Sequence, residues 1–511
     1  MLASERRGRI STVSASIALA LIALVALSAR AQATELLYWD NYGADPDNAA
    51  FANIDGSGGG VLNTGGEAID SPEGQAYDTV TNRLFLTTGS GVDRHILAIN
   101  LDGSGASRFT APGAPVEEPE GVAVDPASRT IYWENTKGGG SLAWAKLDGS
   151  AGGLLSTNGI TVSNACCRIA VDPVGGRLYF DNGGAIGYVN LNNTGGGELN
   201  LTGASIEPGG EGIVVDPAGG RLYYLGAKGP VEGIGFANLN NTGGGDVSLG
   251  GAPMKASWGL ALDPALSRLY WGNEGNNEER PNAFGFVSRA GAGGGISIAT
   301  APLANPQDPV IIKSPTGTGA PTIARNAKVR SELSCSNGTW GADYPGSFVY
   351  QAPRTFVYQW LRNGAPIGGA TATTFTAKSP GTYTCTVTAT NQAGTGAQTS
   401  AAISVKAAKI KLTTKKKAKA EAGDLVKFKV KAVNQGDLKP KNAKLCVTLP
   451  KNAKDDLKAP KCKKAALQGQ AKKTFTIKVK VKGGADIGTD KLTFKVKGAA
   501  GKAAKAKIVV E

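Results

Sequence analysis

Histidine is almost missing from this chain: His95 is the only one in 511 residues. That excludes a histidine-based zinc cluster. It also leaves any Ser-His-Asp scheme resting on one imidazole inside GVDRHILAI, a strand-like segment where a packed or half-exposed ring is the expected reading. No G-x-x-x-x-G-K-[ST] loop is present, which removes P-loop nucleotide chemistry. Aromatic residues are only 6% of the chain, and no long stretch repeats apolar residues at i, i+3, i+4, i+7, so long amphipathic helices are not expected. Catalysis therefore has few candidate parts, and a non-enzyme is the expected class.

Long apolar runs are scarce too. The single one, SIALALIALVALSA, follows Arg6, Arg7 and Arg9 and precedes Ala31-Gln32-Ala33. A positive start, a short apolar middle and a small-x-small site describe an export signal over residues 1–33, too short to read as a membrane span of about 20 residues. An exported, secreted chain is expected, free or held non-covalently at the cell wall. Its six cysteines then read as disulfides.

What the chain has in quantity is glycine, 72 residues, much of it in turn-like runs where a positive φ is needed. Around residues 119–150, PEGVAVDPASRTIYWENTKGGGSLAWAKLDGS, three short strands are separated by turn signals, and weaker copies recur every 44 to 47 residues. The first strand reads GQAYD (Gly74 to Asp78), GVAVD (Gly121 to Asp125), RIAVD (Arg168 to Asp172), GIVVD (Gly212 to Asp216), GLALD (Gly259 to Asp263) and a worn PVIIK (Pro309 to Lys313). The second begins at Leu37, Leu84, Ile131, Leu178, Leu222 and Leu269. Such a unit cannot bury both faces alone, and this period is that of a propeller, so six blades are expected over residues 34–315. Because the chain enters at a second strand and leaves after a first, one blade must join both ends of the repeat region and remove the open edge.

The pattern G-x-A-V-D-x-x-x-R-x-x-Y-W followed by L-D-G-S resembles the YWTD repeat of low-density-lipoprotein receptor class B propellers and, more loosely, bacterial NHL-type propellers. It departs from that repeat at the Thr-Asp end, which reads Asp40-Asn41, Glu134-Asn135, Asp181-Asn182 and Gly272-Asn273.

The innermost strands line a central channel, and the position just before each of them collects Glu73, Glu120, Cys167, Glu211, Trp258 and Gln307. Three carboxylates near one mouth suit Ca²⁺ or another hard cation, with Glu73, Glu120 and Glu211 as ligands, or a basic group of a protein or carbohydrate ligand. Equally, each Glu can be solvated or paired to an arginine of a neighbouring blade. The recurring pairs Asp125 with Arg129, Asp172 with Arg177, Asp216 with Arg221 and Asp263 with Arg268 read as scaffold. Cys166-Cys167 reads either as a vicinal disulfide or as two buried thiols. Gluconolactonase-like and strictosidine-synthase-like propellers use channel carboxylates, which makes a metal-dependent hydrolase or lactonase the alternative to a binding or adhesion protein.

Beyond a breaker-rich PTGTG, residues 316–406 carry Cys335, Trp360 and Cys385 in the order of an immunoglobulin-like sandwich, with Tyr383 two residues before the second cysteine. This resembles bacterial Ig-like domains and implies a Cys335–Cys385 bridge. Residues 407–511 hold 29 lysines and 8 acids, a net of +21, against −10 for residues 34–406. There FKVKAV, TIKVKVK and LTFKVKG alternate lysine with apolar residues at period two, which predicts a second β-sandwich with lysines outside. It resembles CARDB-like modules, with a Cys446–Cys462 bridge. The charge suits an anionic cell-wall polymer or simply a solvated face. Nucleic acid is not expected, since interleaved aromatics are missing. The chain is expected to be monomeric.

Overall fold

A computed structural model describes residues 35–511 apart from 90, 158–159, 163–167, 227–231, 264–265, 276–282, 342–343, 346–348 and 351–353. Residues 1–33, expected to be an export signal, and the Cys166-Cys167 pair lie outside the described residues. The described chain is all-β and separates into two compact units, the first holding residues up to Thr316 with 341–355 and 389–396, the second the remainder.

The first unit contains six four-stranded antiparallel sheets. Blade 1 joins both ends of the repeat region: Pro306–Lys313 is its inner strand and pairs with Glu35–Asn41, which is followed by Asn48–Asn53 and Gly59–Val61. The inner strands of blades 2 to 6 are Gly74–Asp78, Pro119–Asp125, Ile169–Asp172, Ile213–Asp216 and Ser257–Asp263. Register corrects one copy. Leu36 faces Ile312 as Arg177 faces Asp172, so the sixth first strand runs one residue earlier than PVIIK and begins at Asp308.

Repetition is needed because the apolar cores form between blades. One cluster unites Phe85, Ile96 and Phe109 of blade 2 with Val122, Ile131 and Trp133 of blade 3, and another unites Leu37 and Trp39 of blade 1 with Tyr270 and Phe284 of blade 6. Each sheet buries its faces against its neighbours, so its stability depends on the blades beside it.

The recurring aspartates cap turns as expected: Asp125 Oδ1 accepts from the Ala127 amide and Asp172 Oδ1 from those of Val174 and Gly175. Their cations, however, come from the next blade. Arg129 of blade 3 reaches Asp78 of blade 2 at 2.7 Å, Arg289 of blade 6 reaches Asp216, and Lys313 of blade 1 reaches Asp263. Arg177, Arg221 and Arg268 instead lie over Tyr188, Phe236 and Phe286 of their own blades, at 4.2, 4.0 and 5.0 Å from the ring centroids. The same aspartates thus close turns within a blade and join it to the next through their ion pairs.

In the second unit, Cys335 and Cys385 are bridged across an interval of 50 residues. Trp360 is fully buried beside Phe375, and the Tyr383 hydroxyl donates to Ser379 O at 2.6 Å. Residues 409–510 form two five-stranded sheets around one core that includes Phe428, Ile477 and Phe494, with Cys446 bridged to Cys462. Lysines alternate outward as the period-two pattern predicts: Leu425–Asn434 and Lys472–Val481 bury every second side chain. Among the described residues no helix is long and apolar enough to cross a membrane.

Candidate functional site

The first residue of each inner repeat forms a ring at one end of the channel: Gly74, Gly121, Arg168, Gly212, Gly259 and Asp308. Glycine suits four of these positions because adjacent blades nearly touch there. A Cβ on Gly121 would lie 2.9 Å from Arg168 Cα, and one on Gly259, itself at φ +63°, would lie 2.4 Å from Asp308 N. The other two positions belong to blades 4 and 1, three blades apart and so opposite in a ring of six. Their side chains meet across the channel, with Arg168 Nε 2.6 Å from Asp308 Oδ1. Arg168 also donates to Glu73 O and, at 3.4 Å, to Gln307 Oε1, while Gln75 Nε2 donates to Asp308 O. Below this bolt the channel retains a cavity of about 140 Å³ walled by inner-strand residues such as Val122, Ile169, Val215 and Ile311.

Two local devices aim the mouth. Ser71, Glu118, Ala256 and Asn305, each two residues before the Glu/Trp/Gln position, have positive φ of 45°, 55°, 42° and 44°, and the inner strands of blades 3 and 6 are irregular just beyond it. The second device is the Asn of the W-x-N copies. Asn135 Nδ2 donates to Pro115 O at 3.1 Å and its Oδ1 accepts from the Glu117 amide at 2.8 Å, while Trp133 Nε1 donates to the same Pro115 O at 3.0 Å. Asn41 with Trp39, and Asn273 with Trp271, make the same clamp on Pro302 and Pro253. In these three blades the Asn thus fixes the loop that delivers Gln307, Glu120 and Trp258.

Of the residues expected at the mouth, Glu73 and Glu120 share Arg94, at 3.9 and 3.2 Å. Glu120 is in blade 3 and Arg94 in blade 2, so pairing to a neighbouring blade describes Glu120, whereas Glu73 meets Arg94 within blade 2. Gln307 is buried against Arg168. Glu211 and Trp258 sit side by side through a parallel bridge, and the Trp258 indole donates to Glu274 at 3.3 Å. Among the described residues, no group of three or more His, Cys, Asp or Glu side chains is placed to hold one metal ion. Glu73, Glu120 and Glu211 therefore do not converge as a Ca²⁺ cage, and guanidinium groups stand among them. His95 is half-buried with Nδ1 2.6 Å from Asp93 O.

Sequence reading missed Arg168 and the buried acids behind it. Asp40 and Glu134, the middle residues of W-x-N, are fully buried, and neither oxygen of either carboxyl has a hydrogen-bond partner. Burial, with Asp308 adding for Asp40 and Glu120 adding for Glu134, holds both well above the usual carboxylate range. Burial likewise pushes Glu211 up to about 8 and Asp308 up to about 7, in each case against the pull of Arg168. Glu73 is raised for the same reason. The carboxyls around this mouth outnumber the guanidiniums of Arg94 and Arg168, and burial favours the protonated form of Asp40, Glu73, Glu134, Glu211 and Asp308.

No family model and no curated relative matches the sequence. Solved structures similar in fold include TolB from Acinetobacter baumannii, at 13% identity over 58% of this chain and 71% of that chain, with a TM-score of 0.41. A Xanthomonas campestris gluconolactonase matches at 12% identity over 61% and 96%, with a TM-score of 0.36, and Kuenenia stuttgartiensis hydrazine synthase at 13% over 52% and 74%, with 0.31. The propeller is defined by its own six four-stranded sheets, the first of which joins both ends of the repeat region.

Proposed function

We propose that the chain is an exported envelope or extracellular binding protein whose propeller receives a cationic group, an ammonium or guanidinium of a protein or carbohydrate ligand, at the channel mouth. The observation that carries this reading is the pairing of Glu211 with Trp258. Glu211, mostly buried and with an unpartnered Oε2, is bridged through its backbone to Trp258, whose indole is half-buried, at a mouth rich in acids. An aromatic face next to a carboxylate suits an organic cation better than a compact metal ion. The two bridged cysteine pairs and the export-like start agree with an oxidising compartment, and the YWTD-like and Ig-like patterns with a role in recognition.

Calorimetric titration of the full chain with agmatine tests this. Affinity should rise at least about tenfold between pH 6 and pH 9 as Glu211 loses its proton; Glu211→Gln should remove that gain, and Trp258→Leu should weaken binding at both pH values. Binding that is independent of pH, or intact in Glu211→Gln, would refute the assignment.

One observation favours the hydrolase or lactonase reading: a carboxyl with a pKa near 8 is still protonated at neutral pH and can act as a general acid. Glu73 and Glu120 would be its companions. Turnover of a simple δ-lactone that disappears in Glu211→Gln would favour this reading over the first.

A further inference from the structure

We propose that the two outer faces of the C-terminal sandwich bind a linear, phosphate-bearing polyanion. On one sheet Lys491 lies directly opposite Lys507, and Lys507 directly opposite Lys417, giving a row of three lysines across three adjacent strands. On the other sheet Lys427 faces Lys478, Lys480 faces Lys458, and Lys411 faces Lys502. Like charges directly opposite one another across about 5 Å destabilise a sheet, and alternation with Thr, Ser or Glu would serve solubility without that penalty.

Nothing on these faces neutralises the rows. Among the described residues Lys419 with Glu511, at 2.6 Å, is the only ion pair of any lysine in this segment. Of the other acids, Glu421, Asp424 and Asp486 lie in the connections between strands. Asp437 is buried between Arg325 and Arg330, Asp490 is buried, and Asp455 and Asp456 sit on the short helix Ala453–Asp456. The segment contains no arginine at all, so its cations are mobile point charges without the planar fork that reads one fixed geometry. Along a strand, outward lysines such as Lys427, Lys429 and Lys431 recur every second residue, about 7 Å apart. That lattice matches a flexible chain with a charge at every unit. Phe428, Phe475 and Phe494 are all buried, so no aromatic platform is available to stack bases.

The test uses the full chain and inorganic polyphosphate of roughly a hundred units, followed by fluorescence anisotropy, as the probe; the binding reports counterion release through its salt dependence. Affinity should fall at least about tenfold between 50 and 200 mM salt. The triple variant Lys417→Gln, Lys491→Gln, Lys507→Gln should lose at least about tenfold at 50 mM, while its melting temperature stays level or rises because repulsion is relieved. A second triple variant, Lys427→Gln, Lys478→Gln, Lys480→Gln, checks the opposite face in the same way. Absent or salt-insensitive binding would overturn the proposal, as would unchanged affinity in both folded variants. Equal or tighter retention on phosphatidylglycerol vesicles at the same charge concentration would replace the polymer with a membrane surface.

Discussion

Arg168→Met is expected to lower the unfolding free energy of the propeller by about 3 kcal/mol or more, because it strands the carboxyl of Asp308 in a buried site. Arg168 and Asp308 hold opposite points of the ring, and the guanidinium also serves Glu73 O and Gln307. Burial keeps the Asp308 pKa near 7 even with the guanidinium present, so the stranded carboxyl can take up a proton in acid. The loss should therefore be larger at pH 8 than at pH 5. Urea unfolding at the two pH values measures it, and the double variant Arg168→Met, Asp308→Leu should recover most of the deficit. A single variant within about 0.5 kcal/mol of the parent at pH 8 would show that the bolt does not hold the ring.

The second large effect is a loss of stability as pH rises. Glu211 binds its proton more tightly folded than unfolded, with a pKa near 8 against an ordinary value of 4.5. Its favourable contribution is complete below about pH 4.5 and disappears as pH climbs through 8, since the folded state then holds more protons than the unfolded one. At about 1.4 kcal/mol per unit, this group alone can contribute up to about 4 kcal/mol across the window. Asp308, raised to about 7, acts in the same direction, as do Glu73, Asp40 and Glu134. Asp55, Asp93, Asp102 and Asp148 have lowered values from turn or arginine hydrogen bonds, so their effect is lost only as pH falls below the ordinary carboxylate range, outside this window. Melting temperature from pH 4.5 to 9 should fall, and Glu211→Gln should flatten the slope and be the more stable protein at pH 8.5. A profile that rises over this range, or one unchanged by the substitution, would contradict the assignment of a bound proton.

The repeat was legible because each strand announces itself locally, through a run such as GVAVD or IYWEN and a turn after it. The outward lysines were legible for the same reason, since period two needs no knowledge of partners. The bolt was not. Aligning Cys167 with Glu120 drew attention one residue away from Arg168, and the informative contrast was instead that Arg168 and Asp308 replace glycine at positions three repeats apart. Asp40 and Glu134 were hidden because their meaning depends on two different neighbours. The Asn that follows each one clamps a loop 18 to 20 residues earlier in blade 3, and in blade 1 reaches Pro302, 261 residues away. Asp78 with Arg129 shows the general difficulty: the nearest cation in sequence belongs to the same blade, while the nearest in space belongs to the next.

Closing blade 1 with Pro306–Lys313 against Glu35–Asn41 also sets the order of events during synthesis. Five sheets can form as their segments emerge, but Glu35–Asn41 has no inner partner until residue 313 has appeared, and the inter-blade cores on either side of it stay half exposed until then. The slowest step in maturation is thus expected to be a single long-range docking, whose chain entropy is charged before any of its contacts are made. A chain cut short before Pro306 would keep an unpaired apolar edge, and its fate would be decided by chaperones and proteases rather than by the stability of the sheets it had already built.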